Sequence, residues 1–130
     1  MGDEEIFFVW GEPQHLAEAR EWLTGRLHTS WLLDEEIGEL NLALTEALTN
    51  LLQHAEIRTK SELRVQIEDT RVHVLIADDS PPFEPGHSPD EEREGGFGLL
   101  LLNMLTDEVS VETGATGGSV LRLTKYRPDV

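Results

Sequence analysis

The sequence predicts an α+β fold, a two-layer α/β sandwich in which helices cover one face of a mixed, mostly antiparallel sheet. Two helix-length segments in the first half of the chain carry apolar residues at intervals of three and four. Segments rich in β-forming residues dominate the second half, separated by short polar turns. Because helices and strands are segregated along the chain, a largely antiparallel sheet covered on one side by helices is expected.

The first half is predicted to hold one short strand and two helices. The strand covers residues 6–10 and is broken by Gly11 and Pro13. Pro13 suits the first turn of a helix, whose apolar face is formed by Leu16, Ala19, Leu23 and Leu27. A second helix is predicted to begin near Asp34, a capping residue. Its apolar stripe comprises Ile37, Leu40, Leu44, Leu48, Leu51 and Ala55.

The second half is predicted to contain two hairpins joined by a loop and a helix. Residues 62–68 alternate in polarity, and residues 72–77 become apolar on both faces, as expected of a central strand. Residues 80–95 are rich in proline, acid and glycine and are long enough to form a functional lid. A buried helix over 98–105 and strands over 109–111 and 120–125 complete the chain.

Composition indicates a folded chain of 130 residues, expected to form one domain over residues 1–130. There are no cysteines, which excludes disulfides, a cysteine nucleophile and thiolate metal sites. The formal charge of −16 disfavours nucleic acid and anionic lipid as partners and leaves basic protein segments as candidates. Acids in the first ten residues, where a secretory leader carries positive charge, favour a cytoplasmic location without membrane attachment.

A polar pair on the second helix is the first candidate for chemistry. Glu46 and Asn50 are four residues apart and therefore share one face of the helix. An asparagine oxygen suits Mg²⁺, and a nearby glutamate can accept a proton from an attacking hydroxyl. His54, one turn further on, could orient neighbours or bind phosphate. The alternative is a solvated helix face with no chemical role.

Two further segments have nucleotide-binding character. Asp78, at the end of the second hairpin strand, can accept a hydrogen bond from the amine of adenine, or it can simply start a turn. Gly95, Gly96 and Gly98 open a helix, where backbone N–H groups can reach phosphate; the alternative is a flexible joint. Arg93 is a base in the lid and could meet the γ-phosphate, although acidic residues surround it.

In combination, these segments resemble the GHKL (Bergerat-fold) ATP-binding domain, and in particular bacterial anti-sigma factors that are also serine/threonine protein kinases. Leu42–Asn50 with His54-Ala55 resembles the N box of that family, and Asp78–Phe83 resembles its first glycine box. Gly95–Leu99 resembles the second glycine box, and the segment from Thr116 to Lys125 resembles the closing segment. The likeness spans nearly the whole chain.

The resemblance implies a role for each matching residue. Glu46 would act as the general base, and Asn50 would hold Mg²⁺. Asp78 would bind adenine, with the Ser119 hydroxyl in support. The glycines would admit the phosphates of ATP. The implied partners are an anti-anti-sigma (STAS-like) protein, phosphorylated on serine or threonine, and possibly a sigma factor, and the kinase is expected to form a homodimer.

The chain departs from the pattern at one position. The first glycine box of the family usually reads Asp-x-Gly, whereas this chain has Ser80 in place of the glycine. A side chain there is expected to weaken nucleotide binding rather than abolish it. Two functions follow as hypotheses. The first is a kinase for an anti-anti-sigma partner, and the second is a regulatory interaction module that lacks kinase activity and binds ATP only structurally or not at all.

Overall fold

Five antiparallel strands form a single sheet in the computed structural model, which describes residues 5–9, 13–54, 61–78, 100–113 and 118–128. The elements are β1 (Glu5–Val9), α1 (Pro13–Leu27), α2 (Asp34–His54), β2 (Ser61–Ile67), β3 (Arg71–Asp78), β4 (Glu108–Thr113) and β5 (Ser119–Tyr126). Residues 100–105 are also helical. The lid predicted over 80–95 lies outside the described residues.

The strand order β1-β2-β3-β5-β4 places β3 at the centre of the sheet. Every strand pairing in the described part of the chain is antiparallel, which confirms the predicted sheet. β3 is buried on both faces over Val74, Leu75 and Ile76, as its continuous apolar run predicted. Both predicted hairpin strands, β2 and β3, pair in register from Glu62 with Ala77 to Ile67 with Val72.

The helices supply the second layer by burying their apolar stripes against one face of the sheet. Leu63 and Val65 of β2 lie opposite Ile76 and Val74 of β3 in the register, and all four are buried. They join one core cluster with helical residues, which include Leu23, Leu27, Leu40, Leu44, Leu48 and Leu102. Trp22 and Trp31 pack against this cluster, as expected of packing residues.

α2 begins at Asp34, as predicted, but its first turn is held by another side chain. The backbone N–H of Leu33 donates to Oε1 of Glu36 at 3.0 Å. This contact is the glutamate half of a capping box, and it satisfies a donor that the helix itself leaves unpaired. The described cap therefore belongs to Glu36, with Asp34 as the first helical residue.

Two contacts fix the start of α2 at the end of the sheet that carries the β2–β3 turn, here called the turn end. Just before α2, the indole Nε1 of Trp31 donates to the backbone oxygen of Glu68 at 2.8 Å. Within α2, Oε1 of Glu39 lies 3.0 Å from Nζ of Lys125, whose side chain is only 8% exposed. A lysine this buried needs its partner, because an unpaired ammonium would be costly away from water.

His73 lies on the face of the sheet opposite the helices, in contact with two polar neighbours. Its Nδ1 is 2.9 Å from Oγ1 of Thr124, and its Nε2 is 3.3 Å from Oε2 of Glu68. Burial lowers the pKa of His73 below its ordinary value of 6.5, and the attraction of Glu68 offsets only part of that effect. Folding therefore favours the neutral imidazole.

We expect His73→Gln to reduce the loss of stability on mild acidification. The unfolded chain binds the His73 proton more readily than the folded chain does. The free energy of unfolding therefore falls as the pH drops through about 6.5, and the loss due to His73 levels off below the folded-state pKa. Urea unfolding between pH 8 and pH 5 measures it, with wild type losing more stability than the variant. Glutamine is chosen because it retains a polar partner for Thr124. Equal losses of stability in wild type and variant would contradict the prediction.

Candidate functional site

Asp78 and Ser119, predicted from separate segments, lie side by side at one end of the sheet. Asp78 is the last residue of β3 and Ser119 the first of β5, and the two are Cα partners in the antiparallel register. Neighbouring strands are about 4.8 Å apart, so the two positions are adjacent. This end, opposite the turn end, is called here the Asp78 end. Thr113 of β4 also pairs with Ser119 and extends the row.

Glu46, Asn50 and His54 lie on successive turns of α2, as their spacing predicted. Glu46 is half-buried, so it lies on the flank of the helix and is not part of a fully solvated face. Ala47, next to it in the sequence, belongs to the core-facing stripe, and Leu42, one turn before it on the same face, is 50% exposed. Glu46 therefore combines partial shielding with an approach from outside.

The start of α2 lies at the turn end, and Glu46 and Asn50 lie in the second half of the helix. Glu39 is tied to Lys125 at the turn end, and Glu46 lies about 10 Å further along the helix at 1.5 Å per residue. Along β5, the distance from Lys125 back to Ser119 is about 20 Å at 3.3 Å per residue. That Glu46 and Asn50 approach Asp78 and Ser119 remains a prediction.

The remaining predicted site residues lie outside the described residues. These are Arg93 and the three glycines, Gly95, Gly96 and Gly98, together with Ser80, which departs from the family pattern. Their phosphate-binding and lid roles remain predictions. The described part of the following helix, residues 100–105, contributes Leu102 to the core and ends where Thr106 Oγ1 donates to the Leu102 oxygen at 2.7 Å.

The binding of Mg²⁺ by Asn50 remains a prediction. Within the described ranges, no three carboxylate or histidine side chains come together to form a metal site. Mg²⁺ does not need such a cage, because it usually binds one or two protein oxygens and completes its shell with phosphates and water. Asn50, one turn beyond Glu46, is the residue at this site suited to provide that oxygen.

Two residues inside the matched segments had no predicted role of their own, Lys125 in the closing segment and Leu42 in the N-box-like segment. Lys125 binds Glu39 and so holds α2 against the sheet at that point. In the sequence, Lys125 follows Leu121 and Leu123 at every second position of β5, and this alternation indicated that it lies on the side of the strand that faces the helices. Leu42 is an exposed leucine one turn before Glu46. Its position in a mostly apolar stretch between Leu40 and Leu44 gave no separate signal, because exposure depends on what packs against each side of the helix.

Comparison with known proteins gives a consistent result. A family profile for the histidine kinase-like ATPase domain matches residues 9–125. Serine-protein kinase RsbW of Bacillus velezensis is 32% identical over 130 residues, covering 88% of this chain and 80% of that protein. The Bacillus subtilis protein of the same name is 32% identical over 133 residues, covering 91% of this chain and 82% of the relative.

A more distant relative and a solved structure extend the comparison. Serine-protein kinase RsbW of Staphylococcus aureus is 26% identical over 147 residues, covering 97% of this chain and 90% of that protein. A crystal structure of the RsbU and RsbW domains of a Mycobacterium tuberculosis protein superposes with a TM-score of 0.71 at 17% identity. That superposition covers 96% of this chain and 33% of the larger one, and it supports the fold.

Proposed function

Because this chain belongs to the histidine kinase-like ATPase domain family, we propose that it is an ATP-dependent serine/threonine protein kinase that acts as an anti-sigma factor. The observations that support the proposal are the pairing of Asp78 with Ser119 at one end of the sheet and the common face of Glu46 and Asn50 on α2. The serine-protein kinase relatives, 32% identical over most of the chain, support the same activity.

In this proposal each residue does one simple task. The carboxylate of Asp78 accepts a hydrogen bond from the amine of adenine, and the Ser119 hydroxyl supports the same edge of the base. The amide oxygen of Asn50 binds Mg²⁺, which supplies charge neutralisation at the phosphates when present. The carboxylate of Glu46 accepts the proton of the substrate hydroxyl, and the half-buried flank on which it lies limits competition from water.

The proposed protein substrate is an anti-anti-sigma protein of the STAS-like type, phosphorylated on serine or threonine. A sigma factor is proposed as the second partner, bound when the substrate is phosphorylated and no longer competes. The chain is proposed to work in the cytoplasm as a homodimer. For the chain itself, none of the described helices has the length and apolar character needed to cross a membrane.

A second function is kept because of Ser80. Where the family has a glycine in its first glycine box, this chain has a side chain next to the proposed adenine site. If that side chain crowds the nucleotide, the protein is a regulatory interaction module that binds its partner without transferring phosphate. The two functions differ in whether the chain binds Mg-ATP and whether it transfers phosphate from ATP to the partner protein.

Titration calorimetry with Mg-ATP, followed by a transfer assay, tests the proposal. The purified chain is expected to bind Mg-ATP and to gain thermal stability in proportion to ligand concentration, because a ligand that binds only the native state stabilises it. A purified STAS-like protein from the same organism is then expected to acquire phosphoserine or phosphothreonine. Binding without transfer would favour the regulatory module, and the absence of both heat and stabilisation would favour an ATP-independent one.

A further inference from the structure

Leu42 is exposed on a helix whose other leucines mostly belong to the core. Its side chain is 50% exposed, whereas Leu40, Leu44 and Leu48 are buried. Leu42 lies four residues before Glu46, and side chains at this spacing are neighbours, with Cβ atoms about 6 Å apart. A protein that offers a hydroxyl to Glu46 along this face of the helix would therefore contact Leu42.

Gly38, one turn before Leu42, leaves a shallow area beside it. A glycine in the interior of a helix costs about 1 kcal/mol relative to alanine. No atom elsewhere in the described structure lies within 4 Å of where a Cβ of Gly38 would be. Packing among the described residues therefore gives no reason for a glycine at this position. Gly38 also lines an open groove of about 700 Å³ between α1 and α2, together with Thr24, Gly25 and Asn41.

The charge of α2 indicates which partner fits this surface. The helix sequence contains five carboxylates and neither lysine nor arginine, and four of them, Asp34, Glu35, Glu36 and Glu46, are left to attract a partner because Glu39 is paired with Lys125. Arg20 and Glu21 of α1, which line the groove beside Gly38, offset each other in charge. An acidic partner would be repelled, whereas one with basic side chains around an apolar residue would be attracted. Exposed apolar side chains rimmed by charge are typical of the centre of a protein–protein contact.

We propose that Leu42 and the adjoining surface at Gly38 dock the protein substrate and place its hydroxyl at Glu46. The inference rests on the proposed kinase function and names the residues that select the substrate. The occupant is a protein with an apolar side chain beside its phosphorylated serine or threonine and basic side chains around both. Leu42 provides the apolar contact, Gly38 the space for the approaching chain, and the acidic residues of α2 the attraction.

Three variants test the docking surface, with a purified STAS-like protein from the same organism as the probe. Leu42→Ala removes the apolar contact, and Gly38→Gln fills the shallow area with a good helix former. Leu33→Ala is the matched control, because Leu33 is 67% exposed and precedes α2 at the turn end. Affinity for the probe is measured by calorimetry in the presence of Mg-ADP, which prevents transfer, and affinity for ATP is measured separately.

We expect Leu42→Ala and Gly38→Gln each to weaken binding of the probe by about 10-fold or more, the loss typical of a central contact residue. Leu33→Ala should bind within about 2-fold of wild type, and all three should bind ATP normally, as expected for surface changes outside the nucleotide site. Binding of the probe should also weaken with added salt. Unchanged affinity in Leu42→Ala and Gly38→Gln would overturn the inference.

The same measurements separate this inference from the proposed function. If wild type binds the probe without transferring phosphate, while Leu42→Ala loses binding, the docking surface is supported and the kinase function is overturned. If wild type transfers phosphate and both variants keep the wild-type KM for the probe, the kinase stands and the docking surface fails. If wild type neither binds nor phosphorylates the probe, both are overturned.

Discussion

Glu46→Gln is expected to lower phosphate transfer to the protein substrate by about 100-fold or more while leaving ATP binding intact, since a general base contributes between about 10² and 10⁴ in rate. Glutamine has nearly the same shape and keeps a hydrogen-bonding oxygen, but it cannot accept the hydroxyl proton. The half-buried position of Glu46 on α2 favours retention of the fold. Transfer is followed with labelled ATP, and ATP affinity by calorimetry.

Glu35→Gln provides the matched control for this prediction. Glu35 is an exposed glutamate on the same helix, three turns before Glu46 and close to the turn end. Both substitutions remove one negative charge from α2, so a general effect of charge would appear in both variants. We expect transfer to be normal in Glu35→Gln. Transfer at the wild-type rate by Glu46→Gln would remove Glu46 from the mechanism.

Asp78→Asn is expected to weaken ATP binding by about 10- to 100-fold, the loss expected when a hydrogen bond to a charged acceptor worth about 1.5–3 kcal/mol is removed. The amide oxygen of asparagine can still face the adenine amine, but it lacks the negative charge that strengthens the bond to the carboxylate. The substitution should weaken binding of GTP, which carries an oxygen in place of that amine, less than it weakens binding of ATP. The measurement is calorimetric titration of each nucleotide with Mg²⁺ present.

Asp69→Asn serves as the control for Asp78→Asn. Asp69 is an exposed residue of the β2–β3 turn, at the opposite end of β3 from Asp78. The substitution makes the same chemical change far from the proposed adenine site, and ATP affinity should stay at the wild-type value. If Asp78→Asn binds ATP as tightly as Asp69→Asn does, then Asp78 does not contact the base.

Much of the fold could be predicted because its elements carry strong local patterns. The apolar stripes of α1 and α2 and the alternation in β2 depend only on the period of each structure, so they can be read without tertiary information. The boundaries also agreed closely, with α2 beginning at Asp34 and β3 ending at Asp78. The capping contact of Glu36 was missed because Asp34 offered an equally good cap in the sequence.

The candidate site was only partly predictable from local pattern. The helical spacing of Glu46 and Asn50 fixed their common face, and the end of the apolar run marked Asp78. Pairing of Asp78 with Ser119 depends on which strands meet, and β5 lies beside β3 although β4 comes before it in the chain. No periodic pattern in the sequence indicates that β5 is the neighbour of β3.

The sequence alone determined the elements of this protein, the residue types offered for binding Mg-ATP, and the acidity that limits its partners. The tertiary structure decided that Asp78 and Ser119 are neighbours, because β5 pairs with β3, and it placed the start of α2 at the turn end through the Glu39–Lys125 contact and the Trp31 hydrogen bond. It also decided that Leu42 faces outward and Leu44 inward. Burial depends on what packs against each side of a helix, and those neighbours come from distant parts of the chain.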